Sequence, residues 1–278
     1  MNQLAQVGTS SALQTEFDYI AGTPSSRPVF DFHTGARTTL VCQPTRMPII
    51  NARALSDPPQ IEREGFTLVN HKTSISLDDE TAQINRVYHD EVGPMLRDRF
   101  GAYLVIPFRI GMLIRRPANN RRYTEEMKGT RIAHLDYTPK SMDQWLPVVT
   151  QLEQVDPGKY SRMAVYQVWR MMAPAPQVET LALCDARTVS PDDGVVFNSV
   201  ISDDDRQTFE SRVMKPNSKY RWIYWNDLRS DELIIFKGFD TDPNRVSDVP
   251  HQAITNPLAG PTANRRQSIE TRFFLFFK

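Results

Sequence analysis

Cysteine is nearly absent: Cys42 and Cys184 are the only two in 278 residues. So widely separated, they offer neither the close spacing of a metal-binding pair nor a disulfide framework, which fits a reducing compartment. An excess of charge of either sign is also missing, with 33 Lys+Arg against 33 Asp+Glu. Nucleic-acid modules bind through surplus cations facing phosphate, so this balance argues against one and favours small-molecule or protein partners. No apolar run can cross a bilayer: the longest, from Ala102 to Ile114, contains Arg109 and falls short of the roughly 20 residues a span requires. Ahead of Arg27 the chain has no Lys or Arg and no apolar segment, so no secretory signal is expected and the protein is placed in the cytoplasm. Internal repeats and low-complexity tracts are lacking too. Glycine is scarce, at 12 residues, whereas 20 prolines punctuate short segments. What remains is an ordinary globular composition, 40% hydrophobic and long enough to bury a sizeable core without disulfide or metal staples.

Residues 1–30 are polar and rich in Ser, Thr and Gln, which reads as an arm laid over the core of a single domain spanning 31–278. Two helices are expected. Ile84, Val87, Tyr88, Val92, Met95 and Leu96 recur at helical spacing within about 79–100, with Gly93-Pro94 expected to bend or break the helix and Gly101 to end it. Trp145, Val148, Val149, Leu152 and Val155 form a second stripe within about 141–155, opened by a capping-box pattern at Ser141–Gln144 and stopped by Asp156-Pro157-Gly158. The remainder reads as short strands: Tyr103–Phe108, Ile110–Ile114, Arg131–Tyr137, Met163–Met171, Thr180–Cys184, Gly194–Asn198, Arg221–Trp225, Leu233–Phe236 and Ser268–Phe277. Many strands without βαβ alternation imply a mainly β fold, an antiparallel jelly roll or sandwich with flanking helices.

Of five histidines, His134 has a special setting. Strand side chains alternate, so the single residue between His134 and Asp136 aims both at one face. With His251 from a distant segment they can form the two-histidine, one-carboxylate triad that holds Fe(II) by one face and leaves three positions open. The bland alternative is a histidine hydrogen-bonded to a surface aspartate. Downstream, Arg266, Ser268, Glu270 and Arg272 share a face of the strand ending in Phe273-Phe274-Leu275-Phe276-Phe277. A guanidinium fork plus a hydroxyl suits a fixed carboxylate, such as the far end of 2-oxoglutarate, with Arg272 in reserve. A surface ladder in which Glu270 pairs with either arginine is the alternative. Arg170, beside Trp169, is a further co-substrate candidate at the mouth of the barrel. Cys184-Asp185-Ala186-Arg187 reads as a buried thiol beside a structural ion pair. Arg115-Arg116 and Arg121-Arg122 read as a solvated hairpin or as a lid presenting cations to an acidic substrate.

His134-Leu-Asp-Tyr-Thr-Pro-Lys-Ser141, Val168-Trp-Arg170, Leu181-Ala-Leu-Cys-Asp-Ala-Arg187, Arg221-Trp-Ile-Tyr224, Asp231-Glu-Leu-Ile-Ile-Phe-Lys237, Asp240, Pro250-His251 and Arg266-x-Ser-Ile-Glu-x-Arg272 follow one another in a familiar order. Together they resemble the fungal and bacterial hydroxylase/desaturase family that includes aspergillic-acid-type hydroxylases, the gibberellin desaturase and a component of cephamycin methoxylation. The likeness covers roughly residues 45–278, with Gly65-Phe-Thr-Leu-Val69 and Tyr88-x-x-Glu91 extending it upstream. That family is similar to non-haem Fe(II)/2-oxoglutarate oxygenases with a double-stranded β-helix, a cupin-like jelly roll. The resemblance implies Fe(II), 2-oxoglutarate and O2 as cofactors, metal ligands at His134, Asp136 and His251, and hydroxylation, desaturation or oxidative cyclisation in specialised metabolism. Gln167, where asparagine is expected, and Tyr220, where histidine is expected, depart from the pattern, so the substrate is not inherited. The arginines above suggest a small acidic or amino-acid-like one, with no nucleic-acid or membrane partner and a homodimer left open. Two other classes stay in view: a jelly-roll binding or scaffold protein without turnover, and a cupin-type metalloenzyme that needs no keto acid.

Overall fold

The strand expected at Ser268–Phe277 forms over those residues and is buried along both faces. Each face of an alternating strand therefore needs its own cover, and the layering of the molecule follows from that requirement. The computed structural model describes residues 13–115, 130–202 and 208–278. Among these, the chain runs β1 (Gln14–Ile20), β2 (Val29–Asp31), β3 (Cys42–Asn51), β4 (Phe66–Asn70), α1 (Thr81–Phe100), β5 (Leu104–Pro107), β6 (Leu113–Arg115), β7 (His134–Leu135), α2 (Pro139–Leu152), β8 (Arg162–Met171), β9 (Glu179–Cys184), β10 (Gly194–Val200), β11 (Thr208–Met214), β12 (Trp222–Tyr224), β13 (Glu232–Asp240), β14 (His251–Thr255) and β15 (Ser268–Phe277). One sheet has the order β1-β3-β12-β9-β14-β7-β11-β10-β2, and the other β4-β13-β8-β15-β5, with β6 also on β15. Side chains from both sheets, including Trp169, Ile234, Phe236, Leu183 and Ile223, meet in a common core. This is the double-stranded β-helix expected from the sequence.

Helix α1 covers the outer face of the smaller sheet, its Ile84, Tyr88, Val92 and Leu96 packed on Tyr166, Val168, Leu233, Ile235, Phe273 and Leu275. The helix is continuous through Gly93-Pro94, so of the expected bend or break the break does not occur. A buried face along the whole helix outweighs the roughly 3 kcal/mol of an internal proline. Gly101 ends it in the left-handed conformation, as expected. Helix α2 begins earlier than expected because the capping box is Thr138 with Ser141, and Pro139 occupies the first turn. It ends at Leu152, which is exposed, so the stripe stops at Val149.

Residues 13–30, the described part of the expected arm, include β1 and β2. Phe17 and Tyr19 of β1 are fully buried, and Phe17 stacks on Trp222 at 4.2 Å between centroids. Ala133 N donates to Asp18 O, so β1 also reaches the segment entering β7 and the large sheet curls back around a second core. The strand expected at Arg131–Tyr137 shrinks to His134–Leu135, because Thr138 already starts a helix.

His89 on α1 is buried, its Nε2 2.6 Å from Thr271 Oγ1 and its ring against the edge of Phe273. Burial, helped by the charge of Arg109, pushes its pKa down to about 4. The unfolded chain takes up this proton below about pH 6.5, so the contribution is intact above that pH and is lost as pH falls toward 4, by about 3 kcal/mol at the lower end. Urea midpoints measured from pH 7 to 4.5 should therefore fall less steeply in His89→Gln than in the wild type. Parallel slopes would remove His89 from the acid sensitivity.

Candidate active site

His134 lies on β7 and His251 opens β14, where the two residues are direct partners in the ladder. Their rings stand 4.3 Å apart, and Phe236 packs against His251 at 4.8 Å. His134 Nδ1 is 2.8 Å from Ile132 O, and His251 Nδ1 is 3.1 Å from Val249 O. A carbonyl only accepts, so each Nδ1 carries the proton and each Nε2 presents a lone pair. Both lone pairs converge on the carboxylate that follows β7: Asp136 Oδ1 is 3.3 Å from His134 Nε2 and 3.9 Å from His251 Nε2. The three ligand atoms lie within 4.8 Å of one another. The cap of α2 fixes this turn from one side, and Ser211 Oγ, which donates to Asp136 O, fixes it from the other.

Burial alone would raise the Asp136 carboxyl, but the Arg272 guanidinium reverses this and holds it well below the usual carboxylate range. Burial, reinforced by His134, pushes His251 down to about 4. With each Nδ1 committed to a backbone carbonyl, the cluster offers two imidazole Nε2 atoms and one carboxylate oxygen. That donor set is the facial triad suited to Fe(II), and the residues present fit the metal.

Arg266 and Ser268 face the same interior. Arg266 Nε donates to Ser268 Oγ at 3.0 Å, and its guanidinium lies 5.2 Å from the Trp169 ring. Both residues are buried. Three buried polar atoms border this interior without a hydrogen-bond partner: Trp169 Nε1, Gln167 Oε1 and Tyr137 Oη. In register Trp169 sits opposite Glu270 and Gln167 opposite Arg272, while Tyr137 adjoins Asp136. A wall of this kind fits a polar ligand such as 2-oxoglutarate, which would satisfy groups that are costly to bury unpaired. The register shift in β13 places Gly238 against Tyr137, where a Cβ would come within 2.8 Å of the ring. Glycine at the bulge is thus what admits the tyrosine.

Other candidates lie elsewhere. Arg170 is not brought to this interior: Ala164, Tyr166 and Val168 share its parity and face α1, while Trp169 faces inward. Its guanidinium donates to Tyr88 Oη and His71 O and contacts His71 Nδ1. Arg272 does reach the site, but it binds Asp136 and Glu270. The Glu270 pairing of the ladder alternative therefore exists, extended to a triad residue. Arg187 is engaged by Asp185 and Glu64. Cys184 is buried, with its thiol pushed up to about 12 by burial. Tyr220 donates to Lys215 O within the second core, so this departure stays away from the triad, whereas Gln167 sits opposite Arg272. Arg115 lies 3.6 Å from Glu270, and Arg116, Arg121 and Arg122 fall outside the described residues. Tyr137 is a site residue that period-two reasoning about His134 and Asp136 misses, although its place immediately after His-x-Asp is a usable signal.

Residues 17–276 match the family described as Oxidoreductase/YMDC permease-like domain. The chain belongs to this family. Among similar proteins, the hydroxylase/desaturase CTB9 of Cercospora beticola is 28% identical over 83% of this chain and 76% of its own length. The Fe(II)/2-oxoglutarate-dependent dioxygenase nvfI of Aspergillus novofumigatus is 25% identical, with 84% of each chain covered. A solved structure of the iron and alpha-ketoglutarate-dependent endoperoxidase NvfI with different conformation superposes on this family member with a TM-score of 0.81, at 22% identity over 95% of this chain and 97% of that one. The kinship with hydroxylases and desaturases read from the sequence holds. Among the described residues, no helix of this oxidoreductase-family chain is long and apolar enough to cross a membrane.

Proposed function

We propose that this chain is an Fe(II)- and 2-oxoglutarate-dependent oxygenase of specialised metabolism that acts on a small molecule. The observation that carries the reading is the convergence of His134 Nε2, His251 Nε2 and Asp136 Oδ1 beside a buried Arg266–Ser268 pair. The three ligands hold the metal by one face, and their tautomers are preset by backbone carbonyls. Arg266 and Ser268 receive the far carboxylate of the co-substrate, with Trp169 and Gln167 along its path. The surrounding aromatic core excludes water. When bound, iron with 2-oxoglutarate and dioxygen supplies the oxidising power to break a substrate C–H bond. The catalytic unit takes in β1 as well as residues 31–278, because β1 completes the sheet that bears both histidines.

The expectation of an acidic or amino-acid-like substrate rests on Arg170, Arg187 and the pairs Arg115-Arg116 and Arg121-Arg122, of which Arg116, Arg121 and Arg122 lie outside the described residues. Arg170 and Arg187 have partners within the chain, and Arg115 adjoins Glu270, so the reading keeps only its small-molecule part.

Because the substrate is unidentified, the test begins with binding. Calorimetric titration of 2-oxoglutarate into Mn(II)-loaded, oxygen-free protein should show a single saturable site that vanishes when EDTA strips the metal. Fe(II) should then support slow succinate formation in air. Metal-loaded protein that neither binds 2-oxoglutarate nor makes succinate would favour the scaffold reading.

A further inference from the structure

We propose that Arg272 is a positioning residue that restricts Asp136 to a single ligating oxygen, an inference that rests on the metal-centre reading above. The two oxygens of Asp136 have separate neighbours. Oδ1 faces both imidazoles, at 3.3 and 3.9 Å, while Oδ2 accepts from Arg272 Nη2 at 2.7 Å. The same Nη2 donates to Glu270 Oε1 at 2.6 Å, and Nη1 donates to Gly111 O at 2.8 Å. Arg272 comes from β15, in the sheet facing the one that carries His134, so its guanidinium is anchored independently of the carboxylate it holds.

Carboxylates bind metals through one oxygen or through both. A free Asp136 could turn Oδ2 onto the metal and fill a second position, leaving two of six open instead of three. Co-substrate chelation alone takes two. Holding Oδ2 in a charge-assisted hydrogen bond preserves the third. The charge this places beside a dication is offset locally: Glu270 sits 2.6 Å from Arg272 and 3.6 Å from Arg115. Two cations then face two carboxylates, Glu270 and Asp136, and the network does not repel the metal.

The sign of the effect separates this role from simple electrostatics. Removing a cation beside a metal site should tighten metal binding on Coulombic grounds, whereas losing the clamp should weaken it. Metal-free protein is titrated with Co(II), following the visible absorption that reports coordination number, with no co-substrate present. Arg272→Gln should bind Co(II) roughly 10-fold or more weakly and with an altered band shape. Arg272→Lys, which keeps the charge and one donor, should recover part of the affinity and much of the wild-type band. Should Arg272→Gln fail to fold, Arg272→Met, of similar length but with neither charge nor donor, decides, since a wild-type affinity and band shape in that variant would overturn the proposal. So would a folded Arg272→Gln that binds Co(II) as tightly as the wild type with an unchanged band. Asp136→Ala serves as the control for the underlying reading. If it too leaves Co(II) binding intact, the metal centre itself is wrong; if it abolishes binding while Arg272→Gln does not, only the positioning role fails.

Discussion

Replacement of His134, Asp136 or His251 by alanine is expected to abolish succinate formation and to remove metal binding, while the far-ultraviolet circular dichroism stays that of the wild type. Each supplies one of three ligand atoms within 4.8 Å of one another, and the described residues around them form no second group of this kind. Disturbing a residue that merely orients a ligand costs about 10- to 100-fold in metal affinity, so deleting a ligand should cost more. The fold should survive because these side chains contribute little to the cores that hold the sheets together; Phe17, Trp222, Trp169 and Phe273 lie in those cores instead. Asp136→Ala is the most demanding case, since it leaves the buried Arg272 with Glu270 and Gly111 O as its remaining partners. Asp136→Asn keeps an oxygen for that guanidinium and isolates the loss of charge at the metal. Metal content by mass spectrometry of the desalted variants is the direct measurement. A folded His251→Ala protein that keeps one tightly held metal per chain would sink the triad.

The parts of this site legible in the sequence are those that period-two geometry fixes locally. His134 and Asp136 share a face because one residue separates them, and Arg266, Ser268, Glu270 and Arg272 share another for the same reason. Arg170 shows where that logic falls short. Parity excludes it from the face of Trp169, but only the packing of α1 reveals that the excluded side is a buried one where Tyr88 and two backbone carbonyls can employ an arginine. The long apolar strands, β8 and β15, were readable because they are covered on both faces. Strand β1 was not, since only alternate residues are buried along most of it and its neighbours are Ser, Thr and Gln. That the helix does not break at Gly93-Pro94 has a related reason: a local cost of proline is set against a tertiary gain that no window of sequence displays. Nor does sequence show that Arg272 reaches across to Asp136, because the contact joins residues 136 positions apart.

Arg266→Ala should raise the concentration of 2-oxoglutarate needed for half-maximal binding by on the order of 100-fold, since hydrogen bonds to charged groups contribute about 1.5–3 kcal/mol each and a fork provides two. Arg266→Lys should be intermediate, near 10-fold, because lysine restores the charge at a point but not the paired donors. Ser268→Ala removes one neutral donor and should cost less, about 5-fold. The three effects will not add. Ser268 Oγ accepts from Arg266 Nε at 3.0 Å, so each residue helps to orient the other and the double variant should lose less than the sum. The guanidinium also lies over Trp169, whose buried indole nitrogen faces the same interior; Trp169→Phe keeps the aromatic face but removes that donor. Titrating Mn(II)-loaded variants with 2-oxoglutarate reads binding directly, and succinate formation at saturating co-substrate then separates binding from turnover. In a co-substrate anchor the loss appears in the half-saturation constant and is partly overcome by concentration. In a surface ladder of charges both substitutions are small and equal. In a cupin-type enzyme that needs no keto acid, turnover is indifferent to Arg266 altogether, and a wild-type response to 2-oxoglutarate in Arg266→Ala would move the far-carboxylate site to another part of the barrel.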